Sequence, residues 1–231
     1  MLPEILPTTF GERVVMRILD HSRSEFSLTE LGMLDDSQRR FGAILENPHG
    51  MMLVTGPTGS GKSTTLYAAL SSLSTDEKNV ITVEDPVENR IHDVCQMQVK
   101  PLIGLTFAEG LRSILRQDPD VIMIGEIRDR ETAEIAVQAS LTGHLVFSTL
   151  HTNDSAGAVT RLIDMGVEPY LISSAVIGIL AQRLVRVICA ACKREVEVTD
   201  KVRREFELTA PRVSSGRGCD ACRNTGYRGR L

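Results

Sequence analysis

From position 56 to 63 the chain reads Gly-Pro-Thr-Gly-Ser-Gly-Lys-Ser, filling every fixed position of the pattern G-x-x-x-x-G-K-[S/T]. The chemistry of that pattern is phosphate binding. Its glycines let the backbone turn successive N–H groups inward, and the helix that follows offers its positive end to the same anion. Lys62 then reaches the β- and γ-phosphates of a nucleotide, and the Ser63 hydroxyl ligates magnesium (Mg2+). The expected nucleotide-binding set is Gly56, Pro57, Thr58, Gly59, Ser60, Gly61, Lys62, Ser63 and the adjoining Thr64. The flanks suit it: the apolar run Met51-Met52-Leu53-Val54-Thr55 leads in, and Leu66, Ala69, Leu70 and Leu73 lead out at helical spacing. A plain glycine-rich turn between a strand and a helix would leave the lysine and the hydroxyl unexplained.

A second constellation is made of cysteine. Four of the five cysteines form two C-x-x-C pairs, Cys189/Cys192 and Cys219/Cys222. In a reducing compartment such pairs argue for metal before disulfide, and two knuckles of this kind close a tetrahedral zinc (Zn2+) site. Four thiolates leave no coordination position for water, so the zinc would be structural; two redox dithiols are the competing reading. Cys95 stands alone and reads as a small buried or half-buried residue.

These groups need a frame that positions them. Three further short runs, Val80–Val83, Val121–Ile124 and Leu145–Phe147, are too short and too β-branched or aromatic to prefer helix. Helical patterns lie between them: Phe107 to Gln117, Arg130 to Leu141, and Ala156 to Met165, the last ending at Gly166. The alternation predicts an α/β fold with a mostly parallel sheet covered on both faces. In such sheets ligands sit beyond the carboxyl ends of the strands, so the polar residues after each run are the candidates.

ATP hydrolysis needs magnesium, a group that orients water, and a reader of the γ-phosphate. Glu126, after the third strand, is the expected partner of the magnesium shell; an ion pair with Arg128 or Arg130 is the alternative. Glu84, after the second, is expected to polarise the attacking water, with Asp85 and Glu88 able to exchange roles with it or to serve the turn that Asp-Pro starts. His151, after the fourth, would hydrogen-bond the terminal phosphate. His144, ahead of that strand, is either functional or structural.

Away from these groups, residues 13–19 read as a strand at the end of an extended start, and Ser37 as the N-cap of a helix carrying Phe41, Ile44 and Leu45. Residues 168–188 read as one long apolar helix with Pro169 in its first turn. The chain has 231 residues, 42% hydrophobic and 24% charged, ordinary for a globular α/β domain plus an appendage. No apolar stretch is long enough for a bilayer and residues 1–20 lack a signal-peptide order, so a cytoplasmic location is expected. A net charge of −4 gives no basic footprint for nucleic acid.

With these residues assembled, the chain resembles the bacterial type II secretion ATPase family and its relatives, the type IV pilus assembly ATPases. The resemblance covers nearly all positions. It rests on the phosphate loop, an Asp box at 83–88, a Walker B segment at 118–129, a His box from Thr142-Gly143-His144 through Thr149-Leu150-His151-Thr152, the run Ala181-Gln182-Arg183-Leu184-Val185-Arg186, and the four cysteines. It implies a RecA-like P-loop ATPase core acting as a homo-hexamer, whose ATP-driven movements work an inner-membrane platform protein to add pilin or pseudopilin subunits to a fibre. A membrane recruiting protein is the other implied partner. Arg17, Arg112, Arg116, Arg128 and Arg161 match positions where the family places arginines at subunit contacts or the nucleotide. The implied organisation is the last strands of a PAS-like domain at 1–20, the ATPase core at 21–188, a zinc module at 189–223 and the start of a further segment at 224–231. Two other readings compete: a competence-type nucleic-acid translocase with a zinc ribbon, and a small-molecule P-loop kinase, which needs an acceptor pocket and lid that the sequence does not suggest.

Overall fold

The structure, a computed structural model, describes residues 3–16, 27–73 and 77–231. The chain divides into two compact units, 1–183 and 184–231.

The first unit opens with a hairpin, β1 (Pro3–Thr8) and β2 (Gly11–Met16), paired antiparallel from Pro3↔Met16 to Thr8↔Gly11. The expected strand at 13–19 is described as far as Met16, and its remainder, with Arg17, lies outside the described residues. Helix α1 (Asp35–Leu45) starts two residues before the expected cap: Leu34 occupies the N-cap and Asp35 and Asp36 fill the first turn. Two carboxylates there favour the positive helix end more than a Ser37 hydroxyl does.

Six strands then alternate with helices: β3 (Gly50–Thr55), α2 (Lys62–Ser72), β4 (Val80–Glu84), β5 (Cys95–Gln98), α3 (Phe107–Ile114), β6 (Val121–Ile124), α4 (Arg130–Leu141), β7 (Leu145–Leu150), α5 (Ser155–Asp164), α6 (Pro169–Ala175) and β8 (Val176–Ala181). They form one parallel sheet in the order β5-β4-β6-β7-β3-β8. Strand periodicity splits the core into two layers. Met51, Leu53, Ile122, Ile124 and Val146 face α3 to α6, while Met52, Val54, Met123 and Phe147 face α1 and α2. Both faces are therefore covered, as the uniformly apolar strands require.

Two sequence expectations fail here. Residues 168–188 are not one helix: α6 ends at Ala175 and Val176–Ala181 pairs parallel with β3. The β-branched residues Val176, Ile177 and Ile179 satisfy the open edge of β3, which a helix could not do. Cys95 is exposed because β5 is the opposite edge strand.

The second unit contains β9 (Arg186–Ile188), β10 (Lys193–Glu197), α7 (Asp200–Glu205), β11 (Arg212–Gly216) and β12 (Tyr227–Arg230). Two antiparallel pairs, β9 with β12 and β10 with β11, are its only sheets among the described residues. Its buried apolar side chains there are Val198 and three cysteines, too little for a self-sufficient core. Among the described residues no helix is long and apolar enough to cross a membrane.

Candidate functional site: a phosphate loop and a thiolate cluster

The phosphate loop joins β3 to α2, and its backbone shows why glycine is needed. Gly56, Gly59 and Gly61 have φ of +151°, +76° and +85°. At Gly56 a Cβ would stand 2.3 Å from the Gln182 carbonyl oxygen and 2.6 Å from Ser60 Oγ, closer than any side chain tolerates. Gly61 caps α2 in the left-handed region and accepts from Thr65 N at 3.0 Å. Lys62 is 8% exposed and donates to the carbonyls of Gly56 (2.9 Å) and Pro57 (3.1 Å). Burial lowers its pKa and the Glu126 carboxylate works the other way. A buried ammonium with one donor to spare, at the start of a helix, suits a phosphate.

A cavity of about 540 Å³ opens over this loop, a size usual for small-molecule sites. Thr58, Gly59, Lys62 and Ser63 line it from the loop side, and Glu84, Glu126 and His151 from the ends of β4, β6 and β7. Asp85, Glu88 and Arg128 complete the polar wall. The other loop residues act behind it: Gly56, Pro57 and Gly61 shape the turn, Ser60 is buried, and Thr64 is half-buried in the first turn of α2.

The two acids differ in surroundings. Glu84 is 3% exposed; its Oε1 accepts from Thr82 Oγ1 (2.7 Å) and Gln96 Nε2 (2.9 Å), and its Oε2 from the Tyr67 hydroxyl. Burial, then the adjacent carboxylate, raise the Tyr67 pKa, so the phenol stays a donor. Glu126 lies 3.2 Å from His151 Nε2 and 2.5 Å from Arg128 Nη2, and the bond from Arg128 raises the Arg128 pKa. The ion pair weighed as the alternative role of Glu126 is thus present, inside the cavity. Ser63 and Glu126 offer the oxygen donors magnesium prefers.

His144 sits at the amino end of β7, its Nδ1 2.9 Å from the Ala139 carbonyl oxygen, a structural contact remote from the cavity. Asp118 and Asp120 also belong to the amino side, since β6, about 13 Å long at four residues, separates them from Glu126. Arg112 is paired with Glu109 and Glu131, Arg116 reaches Ser113, and Arg161 is exposed. The residues sequence reasoning missed are Tyr67, Thr82 and Gln96. Tyr67 stands one helical turn after Ser63, and Thr82 two strand residues before Glu84, so both spacings carried the signal.

In the second unit, the sulfur atoms of Cys189, Cys192, Cys219 and Cys222 lie within 4.8 Å of one another. Cys189–Cys219, Cys192–Cys222 and Cys219–Cys222 are 4.0, 3.9 and 3.8 Å apart. Tetrahedral zinc with bonds of about 2.3 Å separates its sulfurs by about 3.8 Å. Burial pushes the Cys222 thiol up, but N–H groups of Cys219 and Gly226, each 3.2 Å from its sulfur, help to bring it below the usual thiol range. The donor set fits zinc.

A parallel sheet with this strand order, a phosphate loop and acids at neighbouring strand ends defines a RecA-like P-loop nucleotide-binding fold, here with a tetracysteine module. The family model described as "Type II/IV secretion system protein" matches residues 3–231. The chain belongs to that family.

Among curated relatives, it is 56% identical over 228 residues to the type II secretion system ATPase E of Vibrio cholerae, and 54% over 226 residues to type II secretion system protein E of Dickeya dadantii. Each alignment covers 97% of this chain and 45% of the relative, so the chain spans less than half of either. The type IV pilus assembly ATPase PilB of Thermus thermophilus is 51% identical over 97% of this chain and 26% of its own. Among solved structures, the pilus retraction motor PilT with bound ADP superposes with a TM-score of 0.68 at 32% identity, covering 91% of this chain and 57% of PilT. The VirB11 ATPase of Brucella suis in complex with sulphate gives 0.55 at 25% identity, covering 67% and 48%.

Proposed function

We propose that this chain is the nucleotide-hydrolysing part of a motor ATPase that powers type II protein secretion or type IV pilus extension. The observation that carries the reading is the convergence of Lys62, Ser63, Glu84, Glu126 and His151, from four strand ends, on one cavity. PilT's bound ADP and the names of the relatives point the same way.

In this reading the loop amides and Lys62 hold the phosphates, Lys62 exchanging loop carbonyls for phosphate oxygens. Ser63 and Glu126 would hold magnesium, which when bound neutralises charge developing on the transferred group. Glu84 accepts the proton of the attacking water, its carboxylate already oriented by three donors. His151 reports the terminal phosphate, and its contact with Glu126 links two strand ends. The zinc module is structural. Assembly into a hexamer, attachment at the cytoplasmic face of the inner membrane through a recruiting protein, and action on a platform protein complete the proposal.

The test is steady-state ATP hydrolysis by the protein carrying this sequence, with Lys62→Ala and Glu126→Gln. Each is expected to lower kcat/KM by about a hundredfold or more. Wild-type turnover in either would remove the site assignment.

A further inference from the structure

The least expected feature of the cavity wall is an aromatic hydroxyl bonded to the candidate general base. Tyr67 projects from α2, the helix that begins at the phosphate-binding lysine, and is 4% exposed. Its hydroxyl donates to Glu84 Oε2 and accepts from Glu88 N at 3.2 Å, on the loop after β4. One oxygen atom therefore ties the phosphate-loop helix, the end of β4 and the following loop together. Gln96 braces the same loop from β5: its Nε2 donates to Glu84 Oε1 and the Asn89 carbonyl, each at 2.9 Å, and its Oε1 accepts from Ile91 N at 2.8 Å.

A glutamate carboxylate can rotate about three side-chain bonds, and a base must sit within hydrogen-bond reach of the proton it removes. Thr82 and Gln96 both hold Oε1, so the Tyr67 bond is what fixes Oε2. We infer that Tyr67 is a positioning residue for hydrolysis, orienting the Glu84 carboxylate towards the γ-phosphate side of the cavity and relaying to it the placement of the helix that carries Lys62. The inference rests on the reading of Glu84 as the base. Tyr67 touches no phosphate in this scheme; it acts through Glu84. The phenol suits the task because its elevated pKa keeps the proton on oxygen throughout the working pH range.

Tyr67→Phe removes the hydroxyl and keeps the buried ring. In the assembled protein it is expected to lower kcat for ATP about ten- to a hundredfold, while the affinity for a fluorescent ATP analogue stays within about twofold of wild type. The decisive measurement is a double-mutant cycle with Glu84→Gln. If Tyr67 works through Glu84, adding Tyr67→Phe to Glu84→Gln costs nothing further; an independent packing role makes the two losses multiply. Wild-type kcat in Tyr67→Phe, or multiplicative losses, overturns the inference while the motor reading stands. Wild-type turnover in Glu84→Gln overturns the role of Glu84 as well.

Discussion

Gly56 shows how much one missing side chain decides. With φ at +151° and the Gln182 carbonyl 2.3 Å from where a Cβ would be, alanine there must move either the loop or the segment after β8. Strain of about 1–3 kcal/mol, or a corresponding shift of the N–H groups, follows. Gly56→Ala is therefore expected to weaken ATP binding about ten- to a hundredfold by calorimetry, with far-UV circular dichroism unchanged. Unchanged affinity would contradict this account of the loop. Gly59 has nothing within 4 Å of its Cβ position, so alanine there meets only the backbone penalty of its +76° φ. At this scale the sequence was most informative where a motif fixes a residue's neighbours, as for Lys62. The two histidines of the His box were separable only by asking which end of β7 each occupies: His151 follows the strand and faces the cavity, whereas His144 precedes it and holds a helix carbonyl. The partners of Glu84 arrive from α2, β4 and β5, and no local pattern brings Tyr67 and Gln96 together.

The elements most legible in sequence were those whose type is set by their own composition. The four apolar runs became β3, β4, β6 and β7, because Val, Ile and Phe suit a sheet buried on both faces. The failures were at the sheet's two edges. Cys-Gln-Met-Gln in β5 has neither an apolar run nor β-branched residues, and it is a strand because β4 offers it hydrogen bonds. Residues 169–181 are apolar except for Ser173 and Ser174, and periodicity cannot separate a buried helix from a buried strand in such a run. Gly178 distinguishes the two, since a glycine within an apolar strand marks close approach. A Cβ at that position would be 2.5 Å from Ile44 Cδ1 of α1 and 2.7 Å from Met52 Sδ of β3. Gly178→Val is accordingly expected to destabilise the first unit by about 1–3 kcal/mol in urea unfolding, through separation of α1 from β8. A variant as stable as wild type would show that α1 does not pack there.

For the molecule as a whole, the two units draw on different sources of stability. The first buries a two-layer core; the second has only Val198 and the cysteine cluster among its buried apolar groups. One zinc per chain is expected by elemental analysis, and stripping it should unfold residues 184–231 and open all four cluster cysteines to alkylation, while the parallel sheet survives. A metal-free protein whose cluster thiols stay protected would refute this. The two C-x-x-C pairs make the cysteine cluster legible from spacing alone, whereas the neighbour order of the six strands is a tertiary property that no single segment encodes.

Because all six strands run the same way, the sheet has a working rim and a holding rim. At the holding rim, Asn79 clasps Asp120 Oδ2 (2.7 Å) and the carbonyls of Gln117 (2.8 Å) and Asp118 (3.0 Å), and Leu145 N reaches the Asp120 carbonyl (3.1 Å). None of these groups borders the cavity. Heritable variation in such a molecule should sort accordingly: changes at the holding rim produce heat-sensitive chains that work normally while folded, and changes at the working rim produce sturdy chains that bind or turn over nothing.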